Sequence, residues 1–407
     1  MIELFPHQKK ALELTSDKNR CAYFLDMGLG KTFVASEKAR LLSTLPIIVV
    51  CPKSVIQTWI GHYMSHYNDL KVVDMTKKSY DIDADVFVIN YDLIWRREIK
   101  LKDYTLILDE SSYLQNEKSK RTKAILKLKP KNTILLSGTP TGGQYEKLWA
   151  QLKLLGWNIT KTEYWDRYVN YKELDLGVGF PIKKVTGYKN TDELIKKLKE
   201  CGAVFMKTTD VIELPQQVET TIKCKPSTKL RQFSKTGICE VEGRELVADM
   251  PLKKLTYSRQ LCSSYSEDKL NTLKDIINST EDRLIIFYNF QDELSNIKSI
   301  TDKPISVVNG QIKDLTAYEE CSNSITCIQY QAGSMGLNLQ KANKIIYYSP
   351  TLKCEELEQS RKRTHRIGQK NTCFYYYLVA GIEEDIYKVL STREDYTLKL
   401  FEMGTKI

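Results

Sequence analysis

The sequence predicts an α/β protein of two tandem lobes, each built around a parallel sheet, and two observations support this fold class. Short all-apolar segments of strand length alternate with segments of helix length, which is typical of parallel sheets buried on both faces. The alternation is clear in the first half of the chain, fades, and returns in the second half. A chain of 407 residues is long enough for two domains, each with its own core.

In the first half, the predicted strands are short apolar runs, and polar clusters follow them. The runs occupy residues 21–25, 47–50, 86–89, 106–108 and 135–136. The carboxyl ends of strands are where open α/β sheets bind their ligands. From about residue 146 to residue 226 charged, helix-like stretches dominate, with a loop at residues 177–181. We therefore predict an N-terminal lobe, residues 1–214, with a helical extension after about residue 146.

The second half repeats the alternation and is predicted to form a C-terminal lobe, residues 215–407. Its predicted strands occupy residues 284–287, 305–308, 326–329, 344–347 and 374–379. Near the end, Ile382, Ile386, Val389 and Leu390 have the spacing of one apolar helix face.

Residues 26–32, Asp-Met-Gly-Leu-Gly-Lys-Thr, follow the first predicted strand and precede a helix-compatible run. Glycines such as Gly28 and Gly30 let backbone N–H groups approach phosphate oxygens, and a helix start adds partial positive charge. Lys31 can reach the β- and γ-phosphates of a nucleotide, and Thr32 can ligate Mg²⁺. The full phosphate-loop pattern has glycine where this chain has Leu25. Taken alone, the segment is also compatible with a turn and a solvated lysine.

Asp109 and Glu110 directly follow the predicted strand at residues 106–108. Asp109 is predicted to hold Mg²⁺, and Glu110 to polarise the water that attacks the γ-phosphate. Adjacent acids on a surface turn are common. In a chain that also has a strand, a turn with Gly-Lys-Thr and a helix, they indicate nucleotide hydrolysis.

A basic segment in the second half contains further cationic groups. Residues 359–369 read Gln-Ser-Arg-Lys-Arg-Thr-His-Arg-Ile-Gly-Gln, and Arg363 and Arg366, three apart, are predicted to share one helix face. Guanidinium groups presented to a γ-phosphate from a facing lobe stabilise transition-state charge. An isolated run of this kind would more simply be a solvated helix, but the phosphate loop favours the catalytic interpretation.

Bulk properties restrict the classes of partner. The net charge of +10 and pI near 8.9 favour a polyanion. No signal-peptide pattern and no long apolar run are present, so we expect a soluble, intracellular protein without membrane contact. The ten cysteines form no Cys-x-x-Cys pair and are expected to be reduced. His62 and His66 are four apart, and we expect a solvated helix face there rather than a metal site.

Taken in order, these motifs resemble those of the Swi/Snf-like ATPases of helicase superfamily 2, over nearly the whole chain. Residues 26–32 are similar to the family's phosphate loop, residues 109–110 resemble its second motif, and Ser-Gly-Thr-Pro at residues 137–140 resembles its third, which links hydrolysis to lobe movement. Residues 331–339 resemble motif V, and residues 359–369 resemble motif VI with its family-specific Arg-Ile-Gly-Gln ending. The resemblance implies two RecA-like lobes with an ATP site in the cleft between them.

The resemblance also implies roles for individual residues. Gln8, in Phe-Pro-His-Gln, is similar to the glutamine that contacts adenine. The implied nucleotide contacts are Gln8, Gly28, Gly30, Lys31, Thr32, Gly336 and Gln359. Residues 51–54, followed by Trp59, resemble motif Ia, and residues 90–91 resemble motif Ib, both regions that contact a nucleic acid backbone. The implied DNA contacts are Lys53, Ser54, Asn90, Tyr91, Gln331 and Gly333.

One departure concerns the residues after the carboxylate pair. The family usually has alanine or glycine and then histidine there, whereas this chain has Ser111 and Ser112. How the second motif is coupled to the third is therefore open at the level of sequence.

The implied function is ATP- and Mg²⁺-dependent translocation on double-stranded DNA, which remodels protein–DNA complexes or junctions without extensive strand separation. Two alternatives remain: a strand-separating DNA or RNA helicase and, from another class, a non-catalytic DNA-binding scaffold with a degenerate ATPase fold. Intact Lys31, Asp109 and Arg363 argue against the scaffold. We expect a cytoplasmic or nucleoid-associated location, a viral or prokaryotic source, and a recruiting partner that the sequence does not identify.

Overall fold

The structure, a computed structural model, describes residues 3–99, 101–174, 182–331 and 337–405. The chain divides into two compact units. Unit 1 comprises Met1–Glu213 together with Arg393–Ile407, and unit 2 comprises Leu214–Thr392. Each unit contains its own sheet and its own apolar cores.

Unit 1 begins with a helix and then alternates strands with helices. Its strands are β1 (Arg20–Leu25), β2 (Ile47–Cys51), β3 (Val72–Asp74), β4 (Val86–Asn90), β5 (Thr105–Leu108), β6 (Asn132–Leu136), β7 (Val169–Leu174), β8 (Ile182–Tyr188) and β9 (Ala203–Met206). Its helices are α1 (Pro6–Glu13), α2 (Lys31–Leu41), α3 (Ile56–His66), α4 (Lys120–Lys127), α5 (Trp149–Leu154), α6 (Lys161–Tyr168) and α7 (Thr191–Glu200).

Within the described part of unit 1, seven strands form one parallel sheet in the order β3-β4-β2-β5-β6-β1-β9. Every side chain of β2 and β4 is buried, as expected for strands covered on both faces. Alternate residues enter two separate cores, one containing Phe24 and Leu106 and the other containing Tyr23 and Ile107. The strands predicted in the first half are therefore confirmed.

Residues 169–206 contain strands that the sequence did not predict. β7 and β8 pair antiparallel as a separate hairpin, and β9 pairs with β1 at the edge of the main sheet. Most side chains of β7 are exposed, so this strand lacks the apolar signal of a buried one. The loop predicted at residues 177–181 lies outside the described residues.

Unit 2 repeats the alternation of strands and helices. Its strands are β10 (Gln217–Cys224), β11 (Ile238–Val241), β12 (Arg244–Val247), β13 (Leu284–Tyr288), β14 (Ile305–Val308), β15 (Lys313–Asp314), β16 (Ile325–Gln329), β17 (Lys344–Tyr347) and β18 (Cys373–Ala380). Its helices are α8 (Lys229–Thr236), α9 (Pro251–Cys262), α10 (Glu267–Asn278), α11 (Gln291–Ser299), α12 (Thr316–Glu320), α13 (Cys354–Arg361) and α14 (Glu383–Thr405), of which the last continues into unit 1.

The sheet of unit 2, over the residues that are described, has the strand order β10-β18-β17-β13-β16-β14-β15. All pairs in it are parallel except β14 with the short β15. Helices α8 and α9 and the β11–β12 hairpin enclose a smaller core around Phe233 and Leu261. The predicted strands of the second half are confirmed, whereas β10, with mostly exposed polar side chains, was missed.

The predicted α/β class is thus confirmed, with two units that each contain a mostly parallel sheet. All ten cysteines are free thiols, and only Cys201 and Cys321 are partly exposed. Among the described residues, none of the helices has the length and apolar composition required to span a bilayer.

Candidate functional site

Three loops of unit 1 meet at one edge of its sheet because the strands that precede them are neighbours. β5, β6 and β1 lie side by side and parallel, so the loops after them leave the sheet at the same carboxyl edge. These loops contain the carboxylate pair at residues 109–110, the third motif at residues 137–140 and the phosphate loop at residues 26–30. The structure therefore brings together three motifs that are far apart in the sequence.

The phosphate loop is a tight turn between β1 and α2. Gly28 and Gly30 have φ values of +88° and +72°, a region that residues with a Cβ rarely adopt. α2 begins at Lys31, so the first amides of this helix open towards the loop. The Lys31 ammonium donates to the carbonyl oxygens of Leu25, at 2.9 Å, and Asp26, at 3.2 Å. A cation and helix amides thus share the mouth of the loop, which suits phosphate.

Gln8 is buried against the phosphate loop. Its Nε2 donates to the carbonyl of Leu29 at 3.2 Å, and its Oε1 accepts from the Phe5 amide at 3.0 Å. A Cβ on Gly30 would lie 2.2 Å from Gln8 Nε2, so glycine is needed for this packing. A carboxamide has two N–H donors and an oxygen with two lone pairs. These two bonds therefore leave one donor and one lone pair with which Gln8 could read an adenine edge.

Asp109 is held by a residue from another motif. The indole Nε1 of Trp59, on α3, donates to Asp109 Oδ2 at 2.8 Å, and the Tyr91 hydroxyl donates to the Asp109 carbonyl at 2.9 Å. Burial raises the pKa of the Asp109 carboxyl, while the Trp59 N–H and the charge of Lys31 act in the opposite direction. The positive charge of Lys31 is therefore close enough to Asp109 to favour its ionised form.

Glu110 lies at a sharp turn beside the third motif. Its φ of +53° is in the left-handed region, and Ser137 Oγ lies 3.5 Å from Glu110 Oε2. On the other side of the third motif, a Cβ placed on Gly138 would be 3.5 Å from Lys31 Nζ. The third motif is thus situated between Lys31 and the carboxylate predicted to activate water.

These groups fit a magnesium nucleotide by their chemistry. Thr32, in the first turn of α2, and Asp109 supply the hydroxyl and carboxylate oxygens that Mg²⁺ prefers. Lys31 supplies positive charge at the loop mouth. The arrangement can therefore hold a nucleotide triphosphate with its metal and place a carboxylate near the terminal phosphate.

Two contacts around this site were not predicted. Trp59 was recognised within motif Ia, but its hydrogen bond to Asp109 depends on β2 and β5 being adjacent, which sequence spacing does not reveal. Thr208, after β9, donates from its amide at 3.1 Å and its hydroxyl at 3.3 Å to Asp26 Oδ2. It anchors the start of the phosphate loop to a strand that the sequence reading missed.

His62 does not lie on a solvated face, contrary to the prediction. Its ring is 9% exposed, bonds to Ser36 at 3.1 Å and packs edge-on to Phe33. Burial lowers the pKa of His62 to about 4. Among the described residues, no group of three or more metal-ligating side chains occurs. His62 therefore fastens α3, with its Trp59, to α2.

The predicted DNA contacts of unit 1 fall into two classes. Lys53 and Ser54 are exposed. Asn90 and Tyr91 are buried, since Asn90 Oδ1 accepts from the Leu93 amide at 2.8 Å and the Tyr91 hydroxyl supports the Asp109 backbone. Burial argues against direct contact of these two side chains with DNA and gives them a structural role.

A cationic and aromatic surface follows Asn90 and Tyr91 in the sequence. The Trp95 ring is 37% exposed, with the Arg96 guanidinium 4.7 Å and the Lys120 ammonium 4.6 Å from its centroid. Cations next to an exposed aromatic ring are typical of surfaces that bind nucleic acid backbones and bases.

In unit 2, the predicted motif V residues are only partly described. Gln331 is exposed, while Gly333 and Gly336 lie outside the described residues. Asn338 and Leu339 continue the motif, and the Leu339 amide donates to the Arg363 carbonyl at 3.1 Å. Motifs V and VI are therefore hydrogen-bonded neighbours.

Arg363 and Arg366 do not share a helix face, as the spacing predicted, because α13 ends at Arg361. Gln359 is partly buried within that helix. The Thr364 amide and hydroxyl both bond to the Arg361 carbonyl, and such side-chain bonds compete with helix continuation. Both arginines lie in the following turns: Arg363 is 5% exposed, and Arg366 donates to Asn338 Oδ1.

Arg361, which the sequence reading did not single out, anchors the end of α13. Its guanidinium donates to the Tyr377 hydroxyl, at 2.9 Å from Nε, and pairs with Glu219 at 3.2 Å. Burial lowers the pKa of Arg366 without removing its charge in the ordinary pH range. Arg361 is thus fixed by its partners at the end of α13, and Arg363 and Arg366 lie in the turns that follow.

A phosphate loop, a carboxylate pair after a neighbouring strand, and a second α/β unit with an arginine-rich motif define a helicase-type ATPase of the phosphate-loop class. The comparison with protein families makes this specific. The SNF2-related domain matches residues 7–280, and the helicase conserved C-terminal domain matches residues 268–368. The first match alone spans more than half of the chain, which therefore belongs to the SNF2-related family of helicase superfamily 2, as the motifs predicted.

Individual relatives are distant. The chain is 22% identical over 418 residues to the SWI/SNF-related matrix-associated actin-dependent regulator of chromatin subfamily A-like protein 1 of Xenopus tropicalis, covering 94% of this chain and 43% of that protein. It is 23% identical over 424 residues to an uncharacterized ATP-dependent helicase of Mycoplasma genitalium, covering 92% and 39%. The chain thus spans about two fifths of the length of these relatives.

Among solved structures, the chain is similar to the SWI2/SNF2 ATPase core of Sulfolobus solfataricus in complex with double-stranded DNA. The two share 19% sequence identity, the match covers 99% of this chain and 94% of that one, and the TM-score is 0.48.

Proposed function

We propose that this chain is an ATP-dependent translocase on double-stranded DNA that remodels protein–DNA complexes or DNA junctions. The observation that supports it best is the assembly, at one sheet edge of an SNF2-related domain, of Lys31, Asp109, Glu110 and the third motif. A degenerate ATPase fold used only as a scaffold would not need these groups to be kept together.

The proposed roles follow from the chemistry of each group. Lys31 binds the β- and γ-phosphates, and Thr32 and Asp109 hold Mg²⁺, which neutralises phosphate charge when bound. Glu110 orients the attacking water and accepts its proton. Gln8, fixed to the phosphate loop by its bond to Leu29, reads the adenine.

Arg363 and Arg366 are proposed to stabilise charge on the γ-phosphate in the transition state. Their guanidinium groups suit phosphate oxygens, and the turn that contains them is fixed by Arg361 and its partners Tyr377 and Glu219. Gln359 and Gly336 remain proposed nucleotide contacts.

The DNA is proposed to bind mainly through its phosphates. Lys53, Ser54, Gln331 and Gly333 are proposed contacts, and the exposed surface of Trp95, Arg96 and Lys120 is proposed as a further one. Such binding would be weakly sequence-specific and would weaken as salt is raised.

The test is to measure ATPase rates side by side with duplex DNA, single-stranded DNA, forked DNA, RNA and buffer. We expect duplex or forked DNA to give the largest stimulation and Lys31→Ala to lower every rate by at least about 100-fold, because a phosphate clamp is removed. Lys10→Ala, an exposed lysine on α1, is the matched control and should retain full activity.

Other outcomes of this experiment would contradict the proposal or favour one of the alternative functions. Duplex DNA that stimulates no more than buffer would contradict the proposal. Unwinding of a tailed duplex would instead indicate a strand-separating helicase. Biological activity that survives Lys31→Ala would favour a non-catalytic scaffold.

A further inference from the structure

The carboxylate pair and the third motif are joined by a buried relay of two hydrogen bonds. The hydroxyl of Ser111, which follows Glu110, donates to Gln151 Oε1 at 2.8 Å. Gln151 Nε2 in turn donates to the carbonyl oxygen of Pro140 at 2.7 Å. Ser111 and Gln151 are both 0% exposed. One side chain of α5 therefore connects the residue after one motif to the last residue of the other.

The direct contact between the two motifs is weaker than this relay. Ser137 Oγ and Glu110 Oε2 are 3.5 Å apart, which is at the outer limit for a hydrogen bond, whereas O–H···O and N–H···O bonds are strongest below about 3 Å. Both bonds of the relay are within that range. The two bonds of the relay are therefore a tighter connection between the motifs than the contact of Ser137 with Glu110.

The relay cannot easily be replaced by other partners. A hydroxyl has one proton, and a carboxamide accepts only at its oxygen and donates only at its nitrogen. Because the groups are buried, a broken bond cannot be exchanged for one to bulk water. A shift of Pro140 must therefore move Gln151 or leave a buried polar atom unsatisfied, and Gln151 holds Ser111.

The residue that precedes Ser111 is sensitive to such movement. Glu110 has a left-handed φ of +53°, and its carbonyl lies 3.4 Å from the hydroxyl of Tyr91, which also bonds to the Asp109 carbonyl. Glu110 is thus restrained by Tyr91 at its carbonyl and is followed directly by Ser111, which Gln151 holds. A displacement of Ser111 would therefore change the direction of the Glu110 carboxylate.

We propose that Ser111 and Gln151 are positioning residues that couple the Asp109-Glu110 pair to the third motif in this chain. This inference rests on the proposed ATPase function and deepens it. It also accounts for the departure found in the sequence, because a serine directly after the carboxylate pair supplies the hydroxyl that the relay needs.

The same unit offers a matched control at the opposite ends of the same strands. Asn132 Nδ2, at the start of β6, donates to Thr105 Oγ1, at the start of β5, at 3.1 Å, and Thr105 Oγ1 donates to the Thr44 carbonyl at 2.9 Å. Thr105 and Asn132 are 0% and 3% exposed. Thr105→Val and Asn132→Leu thus break an equally buried relay that is remote from the nucleotide loops.

The first experiment compares Ser111→Ala, Gln151→Met and their double variant with Thr105→Val. We expect the relay variants to lower the DNA-stimulated kcat roughly tenfold, the factor that corresponds to one lost hydrogen bond, while the Kd of a fluorescent ATP analogue changes less than about twofold. The double variant should lower kcat no further than Gln151→Met does, because both substitutions break the same relay.

Thr105→Val should lower the melting temperature but leave kcat unchanged. Equal kcat losses in the relay and control variants would overturn the proposal.

A second measurement needs no nucleic acid and so separates the relay from the proposed function. Amide hydrogen exchange at residues 137–144 is measured on the full chain with and without the magnesium salt of a slowly hydrolysed ATP analogue. We expect nucleotide to change exchange there in the wild type and in Thr105→Val, but not in Gln151→Met at saturating analogue. An unchanged response in Gln151→Met would overturn the relay. A lost response in Gln151→Met, in a protein that DNA does not stimulate, would support the relay and contradict only the DNA-dependent function.

Discussion

At the scale of single residues, Trp59 shows how one side chain from motif Ia acts on the second motif. Its indole is 1% exposed and donates to Asp109 Oδ2 at 2.8 Å. Without this donor, the Asp109 carboxylate, which is proposed to hold Mg²⁺, would be less restrained in rotation, and its other oxygen would lose its orientation. Trp59 is therefore better described as a support for Asp109, the proposed metal ligand, than as a DNA contact.

We predict that Trp59→Phe lowers kcat/KM for ATP by about 10- to 100-fold, because hydrogen bonds to charged groups contribute about 1.5–3 kcal/mol. The Mg²⁺ concentration needed for half-maximal activity should rise as well. Steady-state ATPase assays over a range of Mg²⁺ concentrations would measure both effects.

Trp149→Phe is the matched control for the loss of ring volume and of an indole bond. Trp149 Nε1 donates to the Ile159 carbonyl at 3.0 Å, a backbone group outside the three site loops. If both tryptophan variants lose the same activity and show no change in Mg²⁺ dependence, the positioning role of Trp59 is wrong.

At the scale of elements, sequence predicted strands well where both faces of the sheet are buried. β2, β4 and β5 are largely apolar because all of their side chains are buried between the layers on the two faces of the sheet. The three site loops were predicted for the same reason, since polar motifs directly follow such runs. β7 and β10 were missed because most of their side chains are exposed and polar.

The end of α13 could not be predicted from the spacing of residues in the sequence, for a different reason. A three-residue spacing predicts one helix face only while the helix continues, but α13 ends at Arg361, and Thr364 bonds back to the Arg361 carbonyl in the turn that follows. The hydrogen bonds of Gln151 could not be predicted either. Its helix contains no recognisable motif, and its partners Ser111 and Pro140 lie 40 and 11 residues away in the chain. Such contacts depend on how strands and helices are ordered in space.

The turn after α13 depends on Gln369. Its Nε2 donates to the carbonyl oxygens of Ala342, at 3.0 Å, and Gln340, at 3.2 Å, while Oε1 accepts from the Lys370 and Asn371 amides at 3.0 Å. This buried carboxamide joins the turn that contains the two proposed arginine fingers to the segment after motif V.

We predict that Gln369→Leu destabilises the protein by about 1–3 kcal/mol, because buried backbone groups lose their partner, and lowers kcat more than the affinity for nucleotide. Urea unfolding and ATPase kinetics measure the two effects. Gln291→Leu, an exposed glutamine of the same unit, should do neither. A Gln369→Leu protein with normal kcat would separate this turn from catalysis.

At the scale of the whole molecule, stability should depend on a buried ion pair in unit 2. The ammonium of Lys269, on α10, contacts Glu383 at the start of α14, and both side chains are 0% exposed. Glu383 Oε2 also accepts from the Ala380 amide at 2.9 Å. Burial raises the pKa of Glu383 to about 7, an effect that the attraction of Lys269 only partly offsets.

The sign of the pH dependence follows from this raised pKa. Below the ordinary glutamate value of 4.5, the folded and unfolded states both bind the proton. Between 4.5 and about 7 the folded state keeps a proton that the unfolded state has lost, so raising the pH favours unfolding. The contribution of Glu383 to the free energy of unfolding should therefore fall by up to about 3 kcal/mol across this window.

Urea unfolding at pH 5 and pH 8 would test this expectation on the wild type, Glu383→Gln and Glu384→Gln. Glu384 is a half-exposed neighbour, so its variant should follow the wild type. Glu383→Gln removes the titrating group, and its free energy of unfolding should fall less between the two pH values than that of the wild type. If Glu383→Gln leaves an unpaired Lys269 that prevents folding, the double variant with Lys269→Met provides the same comparison. A wild type that gains stability relative to these variants as pH rises would show that attraction by Lys269 outweighs burial.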